Sequence, residues 1–152
     1  MDNYLKRNAK NQQKDDFSRI YVATHPGDSQ VCGYYALNAH KVTVDDFGPD
    51  APSRTPRHGD IPALYISMIA VDGRAQRSGI GEALMMDALN LARVTADQIG
   101  LKAVILDVVD DHGHEAFRKR QEFYRRLGFQ SFPSRADRMF LMMDTIRAMF
   151  AK

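Results

Sequence analysis

The sequence predicts a single α/β domain, and three observations carry that prediction. An apolar run at residues 64–71 is followed by a glycine-bearing segment, Gln76-Arg77-Ser78-Gly79-Ile80-Gly81, and then by a long amphipathic pattern that begins at Glu82. A second apolar run, residues 103–109, comes next, so strand, helix and strand form one βαβ-like unit. Ahead of it, residues 19–24 and 31–37 flank His25-Pro26-Gly27-Asp28 and read as a hairpin. At 152 residues the chain is long enough for one core that buries well over half of its unfolded surface.

In chain order, residues 2–14 place Tyr4, Leu5 and Ala9 at helical spacing among Lys6, Arg7, Lys10 and Lys14, which predicts a basic amphipathic helix. After the hairpin, whose Gly33 predicts a bulge or a close backbone approach, residues 45–62 carry Pro49, Pro52, Pro56 and Pro62 and predict a long loop on the substrate side. The near-continuous run 64–71 predicts a central strand buried on both faces. Ile80, Leu84, Met85, Ala88, Leu91, Ala92 and Ile99 then predict one helical face, closed by Gly100. Residues 110–115 predict a solvated loop, residues 116–127 a helix ended by Gly128, residues 129–132 and 139–143 two strands, and residues 145–150 a closing helix.

Composition excludes several classes. No apolar run approaches the roughly 20 residues of a membrane span, and the N-terminus shows no signal segment, so a cytoplasmic protein is expected. Cys32 is the only cysteine and is expected as a small buried group. A net charge of +2 does not by itself announce a nucleic-acid binder. His112, His114, Glu115 and the neighbouring aspartates invite a metal reading, but no further ligands at metal spacing support it, and no metal is expected.

The segment 76–81 is expected to cradle a pyrophosphate. The first N–H groups of a helix lack intrahelical partners and sit at the positive end of the helix dipole, and glycines let a phosphate approach them. Arg74 and Arg77 are placed to add charge-assisted contacts. No lysine followed by Ser or Thr is present, nor a third spaced glycine, so nucleoside-triphosphate and dinucleotide cradles are excluded.

What remains, Gln-x-x-Gly-x-Gly between strand and helix, resembles the acetyl-coenzyme A site of the GNAT N-acetyltransferases. A second segment, Phe123-Tyr124-Arg125-Arg126-Leu127-Gly128-Phe129, resembles the F-Y-x-x-x-G-F ending of the same family. The resemblance implies a mixed, mostly antiparallel twisted sheet flanked by helices. It also implies acetyl-CoA as co-substrate, held by Gln76, Arg77, Ser78, Gly79, Ile80 and Gly81, with the amides of Ile69, Ala70 and Val71 polarising the thioester carbonyl. Tyr124 is the general acid it implies, since a phenol of ordinary pKa about 10 can protonate a departing thiolate. No base announces itself: Asp72, His112, His114 and Glu115 are candidates by type only.

Looser patterns, among them Asn3-Tyr4-Leu5-Lys6, Gly33-Tyr34-Tyr35-Ala36-Leu37 and Ala70-Val71-Asp72, are similar to the toxin branch of the family. That branch implies aminoacyl-tRNA as acceptor, a small DNA-binding antitoxin, a homodimer, and RNA-backbone contacts from basic residues, here Lys6, Arg7, Lys10, Arg118 and Arg125. Relative to the family, a strand and part of the first helix are expected to be missing ahead of residue 1. The alternative is a GNAT enzyme acting on a small amine, a protein N-terminus or a lysine. A non-catalytic module of the same fold is a third reading, disfavoured by Tyr124.

Overall fold

The computed structural model describes residues 4–55, 59–75 and 78–151. Six strands form one sheet in the order β1-β2-β3-β4-β6-β5, with β1 Arg19–Thr24, β2 Val31–Thr43, β3 Asp60–Val71, β4 Ala103–Asp107, β5 Gln130–Phe132 and β6 Arg135–Met142. Around it lie α1 (Lys10–Lys14, entered through a π-helical turn Leu5–Ala9), α2 (Val44–Phe47), α3 (Ile80–Ala96), α4 (His114–Arg126) and α5 (Met143–Phe150). By its contacts the chain divides into two compact units, Met1–Asn38 with Ile66–Leu91 and Ala39–Tyr65 with Ala92–Lys152.

In the first unit β1 pairs antiparallel with β2, from Arg19 opposite Leu37 to Ala23 opposite Gly33. The register then slips so that Thr24 faces Val31, which leaves Cys32 as the extra residue of a bulge. Gly33 meets its expected close approach: a Cβ there would lie 2.8 Å from Leu84 Cδ1 and 3.0 Å from the Ala70 carbonyl oxygen, so only glycine lets α3 and β3 come this near. Tyr35 stacks on Tyr21 at 5.1 Å and donates from its hydroxyl to Asp87 of α3 at 2.6 Å. Because side chains alternate along a strand, Tyr34 points to the other face, where its ring lies flat against Tyr4 at 5.6 Å.

The second unit is built on β6, which takes β4 on one side (Ala103 opposite Met142, Asp107 opposite Arg138) and β5 on the other. Its core joins Val42, Ile61, Ala63, Ile105 and Phe140 around Phe47, whose ring sits 4.9 Å from both Phe132 and Phe140. Phe47 corrects the expectation of a featureless loop. Residues 44–47 form α2, held by a capping box in which the Asp46 carboxylate accepts from the Thr43 N–H at 2.8 Å, and the strand after it starts at Asp60. Pro62 therefore lies inside β3, with its carbonyl accepting from Lys102 N–H at 2.9 Å. Residues 56–58 of the expected loop lie outside the described residues.

Other boundaries also move. Helix α3 ends at Ala96, so Ile99 is 58% exposed instead of continuing the apolar face, and Gly100 does not cap it. Within residues 64–71 only Ile66 is fully buried and the rest are half-buried, instead of the run being buried on both faces. Strand β6 begins at Arg135, inside the expected turn.

At the end of β4, Asp107 accepts from Arg138 Nε at 2.7 Å and Nη2 at 2.9 Å, and from the Tyr65 hydroxyl at 2.7 Å, while His40 stacks on the Tyr65 ring at 5.0 Å. Burial pushes the Asp107 carboxyl up, but the bonds from Arg138 and Tyr65 outweigh it, and the net direction is down. A carboxyl held below its unfolded value, about 3.9, adds stability that is present above that pH and is lost as pH falls through the folded value. Asp107→Asn is expected to cost about 2 kcal/mol near neutrality, less than a fully buried pair, and to flatten the acid limb of the unfolding curve. Urea titrations from pH 3 to pH 7 that overlay for the two proteins would show the cluster to be inert.

Candidate active site

The described residues of the segment expected to cradle the cofactor lie in the first unit. Strand β3 delivers Ile69, Ala70 and Val71, all half-buried, and stays paired to β2 as far as Asp72, whose N–H donates to the Cys32 carbonyl at 2.8 Å. A 3-10 turn, Gly73–Ala75, then leads to α3. Gly79 adopts a φ of +84°, the left-handed region that glycine enters freely, and its carbonyl accepts from Ala83 N–H at 3.0 Å. The N–H groups of Ile80, Gly81 and Glu82, in the first turn of α3, have no place in the intrahelical ladder and can serve an anion. A Cβ at Gly81 would meet only Val71 Cγ2 at 3.7 Å, so this position needs glycine less than Gly33 does. Gln76 and Arg77 lie outside the described residues.

Arg74 is engaged with Asp72 at the end of β3. Its backbone N–H donates to Asp72 Oδ1 at 2.9 Å, and its guanidinium spans the same carboxylate at 3.2 and 3.3 Å. Those bonds hold the Asp72 carboxyl below its ordinary range, which makes Asp72 a poor base. Beside this latch lies a cavity of about 290 Å³ lined by His25, Asp28, Val31, Cys32 and Ser78 as well as the latch itself.

Tyr124 belongs to the second unit. It is 9% exposed on α4, with its ring edge-on to Phe123 at 5.4 Å and to Phe129 at 5.9 Å. Among the described residues its hydroxyl has no hydrogen-bond partner. Burial pushes its pKa up and the nearby Arg120 only partly opposes this, so the phenol stays protonated near neutrality. Its helix ends in a Schellman turn: the Tyr124 carbonyl accepts from Phe129 N–H at 3.1 Å, Gly128 N–H donates to the Arg125 carbonyl at 3.0 Å, and Gly128 sits at φ +108°.

The basic residues are exposed. Lys6, Arg7 and Lys10 line the N-terminal helical turns and Arg118 and Arg125 the outside of α4. Two other cations of α4 are engaged locally, Arg120 with Asp111 at 2.9 Å and Lys119 with Glu115 at 3.8 Å. The base candidates His112, His114 and Glu115 are exposed at or before the start of that helix. Among the described residues no group of three or more His, Cys, Asp or Glu could hold a metal ion, and no helix is long and apolar enough to cross a membrane.

A six-stranded, mostly antiparallel sheet flanked by helices, with a glycine turn between β3 and α3, is the architecture of an acyl-coenzyme A-dependent N-acetyltransferase. The acetyltransferase (GNAT) domain family matches residues 16–131, and the chain belongs to that family. It is 42% identical over 150 residues to the probable toxin TacT of Sinorhizobium fredii, covering 98% of this chain and 82% of that one. It is 30% identical over 151 residues to the tRNA-acetylating toxin of Mycobacterium tuberculosis, covering 98% and 83%. Two solved structures of the toxin AtaT share its fold at 19% identity. One is a mutant bound to the C-terminus of the antitoxin AtaR and acetyl-CoA, with a TM-score of 0.78 over 98% of this chain and 82% of that one. The other is complexed with acetyl-methionyl-tRNAfMet, with a TM-score of 0.83 over 97% and 84%.

Proposed function

We propose that this acetyltransferase moves the acetyl group of acetyl-CoA onto the α-amino group of an aminoacyl-tRNA, and so acts as the translation-blocking toxin of a toxin-antitoxin pair. The observation that carries the reading is the near full-length identity to a probable toxin and to a tRNA-acetylating toxin. The phosphates of acetyl-CoA are assigned to the amides of residues 79–81, with Gln76, Arg77 and Ser78 beside them, and the thioester carbonyl to the amides of Ile69, Ala70 and Val71. The amine nitrogen attacks the carbonyl carbon directly, the C–S bond breaks as the tetrahedral oxyanion collapses, and the sulfur takes the Tyr124 proton. The proton shed by the new amide nitrogen passes to solvent and restores the phenol, leaving free coenzyme A thiol and the acetamide. An α-amine with a pKa of about 7.7–8.0 is in good part neutral at cell pH, so this acceptor needs help from a protein base less than a lysine does.

Exposed Lys6, Arg7, Lys10, Arg118 and Arg125 supply charge for the tRNA backbone, and binding through them weakens steeply with salt. A small DNA-binding antitoxin is the protein partner this reading implies, and a homodimer its working assembly. The test is transfer of labelled acetyl from acetyl-CoA to a mixture of charged tRNAs, followed by identification of the labelled amino acid. Label on the charged tRNA that is lost on deacylation is the expected result. Binding of acetyl-CoA with no label on any tRNA would sink this reading and favour a small amine or a protein terminus.

A further inference from the structure

Among the described residues, Ser18 Oγ and the Tyr34 hydroxyl are buried side-chain oxygens with no hydrogen-bond partner, and the second is the more telling. Tyr34 is fully buried near the start of β2. Orphaned polar groups at such depth cost folding free energy and are uncommon, so each one calls for a reason. The position of Tyr34 supplies one. Asp72 N–H bonds the Cys32 carbonyl and Ser67 Oγ bonds the Ala36 carbonyl at 3.4 Å, so antiparallel counting brings Tyr34 opposite Ala70, in the stretch assigned to the thioester carbonyl.

The faces matter as much as the register. Gly33 abuts Leu84 and Ile80 of α3, the helix whose first turn holds the phosphates, so the cofactor is anchored on the Gly33 face. Tyr34 points to the opposite one. In a direct attack the two substrates reach a single carbonyl carbon from different sides, and the second must come from the face that Tyr34 occupies.

We infer that the Tyr34 hydroxyl is a hydrogen-bond donor to the acyl acceptor, holding the ester carbonyl of the aminoacyl end so that its α-amine faces the thioester at Ala70. The inference rests on the aminoacyl-tRNA reading above. Burial, with the Tyr4 ring beside it, pushes the Tyr34 phenol up to about 12, so it remains a donor at any working pH. Tyr4 lies flat over it and is held from above by its own bond to Gln12 at 2.6 Å. Access to Tyr34 thus requires the Tyr4 ring to lift, which makes the first helical turns a cover.

The decisive variant is Tyr34→Phe, which deletes one oxygen and keeps the ring. The wild-type protein is assayed first on mixed charged tRNAs; no transfer there refutes the aminoacyl-tRNA reading and this inference with it. With transfer established, Tyr34→Phe is expected to lower kcat/KM for charged tRNA roughly tenfold, the worth of one good hydrogen bond. Affinity for acetyl-CoA should stay within about twofold, and Tm should hold or rise because an orphaned hydroxyl has been removed. Tyr4→Ala is expected to lower the acceptor KM only when Tyr34 is intact. Unchanged kcat/KM in Tyr34→Phe overturns the inference, as does a fall in Tm with activity kept, which would mean that the hydroxyl is already satisfied inside the fold. Loss of acetyl-CoA binding in parallel with activity overturns it too, since the defect would then lie in the cofactor site.

Discussion

Tyr124→Phe is expected to lower acetyl transfer about 100-fold, at the low end of what a positioned acid contributes, while leaving the Kd for acetyl-CoA almost unchanged. The substitution suits this test because the ring is already held by Phe123 and Phe129 and the hydroxyl bonds to nothing among the described residues, so only the proton is lost. A raised pKa keeps the wild-type phenol protonated through neutral pH and beyond, and the acid role should therefore impose no loss of rate below about pH 9. Single-turnover rates separate this from slow product release. Equal rates in the two proteins would remove Tyr124 from the chemistry.

Phe47→Ala should have the largest effect on stability, about 3–5 kcal/mol, which is the usual cost of deleting a fully buried aromatic ring. Whole domains are stable by only about 5–15 kcal/mol, so the variant would sit near the edge of folding. Phe47 is fully buried, and its loss would leave Phe132 and Phe140 facing a cavity. Denaturant titration gives the number directly. A cost below about 1 kcal/mol would mean that the loop collapses to fill the space and that α2 is not a true part of the core.

That same phenylalanine shows where sequence reasoning stops. Four prolines made residues 45–62 read as irregular, yet Pro49 starts a 3-10 turn and Pro62 sits in a strand, both positions where a missing N–H does no harm. Nothing local marks Phe47 as the centre of a core, because its partners lie far along the chain at Phe132 and Phe140. Local signals served better where a backbone demand is tied to one residue type: Gly33 announced a close approach, and Gly128 announced the end of a helix. Cys32 was read as a small buried group and is one. The apolar face of α3 was legible as far as Ala92, but the pattern ran on to Ile99 because periodicity carries no information on where a helix leaves its sheet.

The site was legible in outline only. Gly79 lies just ahead of α3 and Gly128 just past α4, each at a positive φ that glycine enters freely. The Asp72–Arg74 latch was not visible, because a pair of residues two apart on a turn can face each other or diverge with equal ease. Nor was the Asp107, Arg138 and Tyr65 cluster, whose members come from three separate strands. Tyr34 and Tyr35 look equivalent in sequence; alternation along β2 gives one a bond to Asp87 and leaves the other with none among the described residues.

The Schellman turn after Tyr124 changes what its motif testifies to. The glycine of F-Y-x-x-x-G-F is explained by the way α4 ends, since Gly128 takes a φ that side chains resist and its missing Cβ would come within 3.2 Å of Leu141 Cδ1, and the final phenylalanine by its buried ring 5.9 Å from that of Tyr124. Those demands belong to the fold and would outlive the reaction. A descendant that kept the fold as a binding scaffold would therefore keep the glycine and the phenylalanine and be free to lose only the phenol. On the proposed role of Tyr124, its hydroxyl, and not the match to the whole segment, is the part of the motif that bears on catalysis.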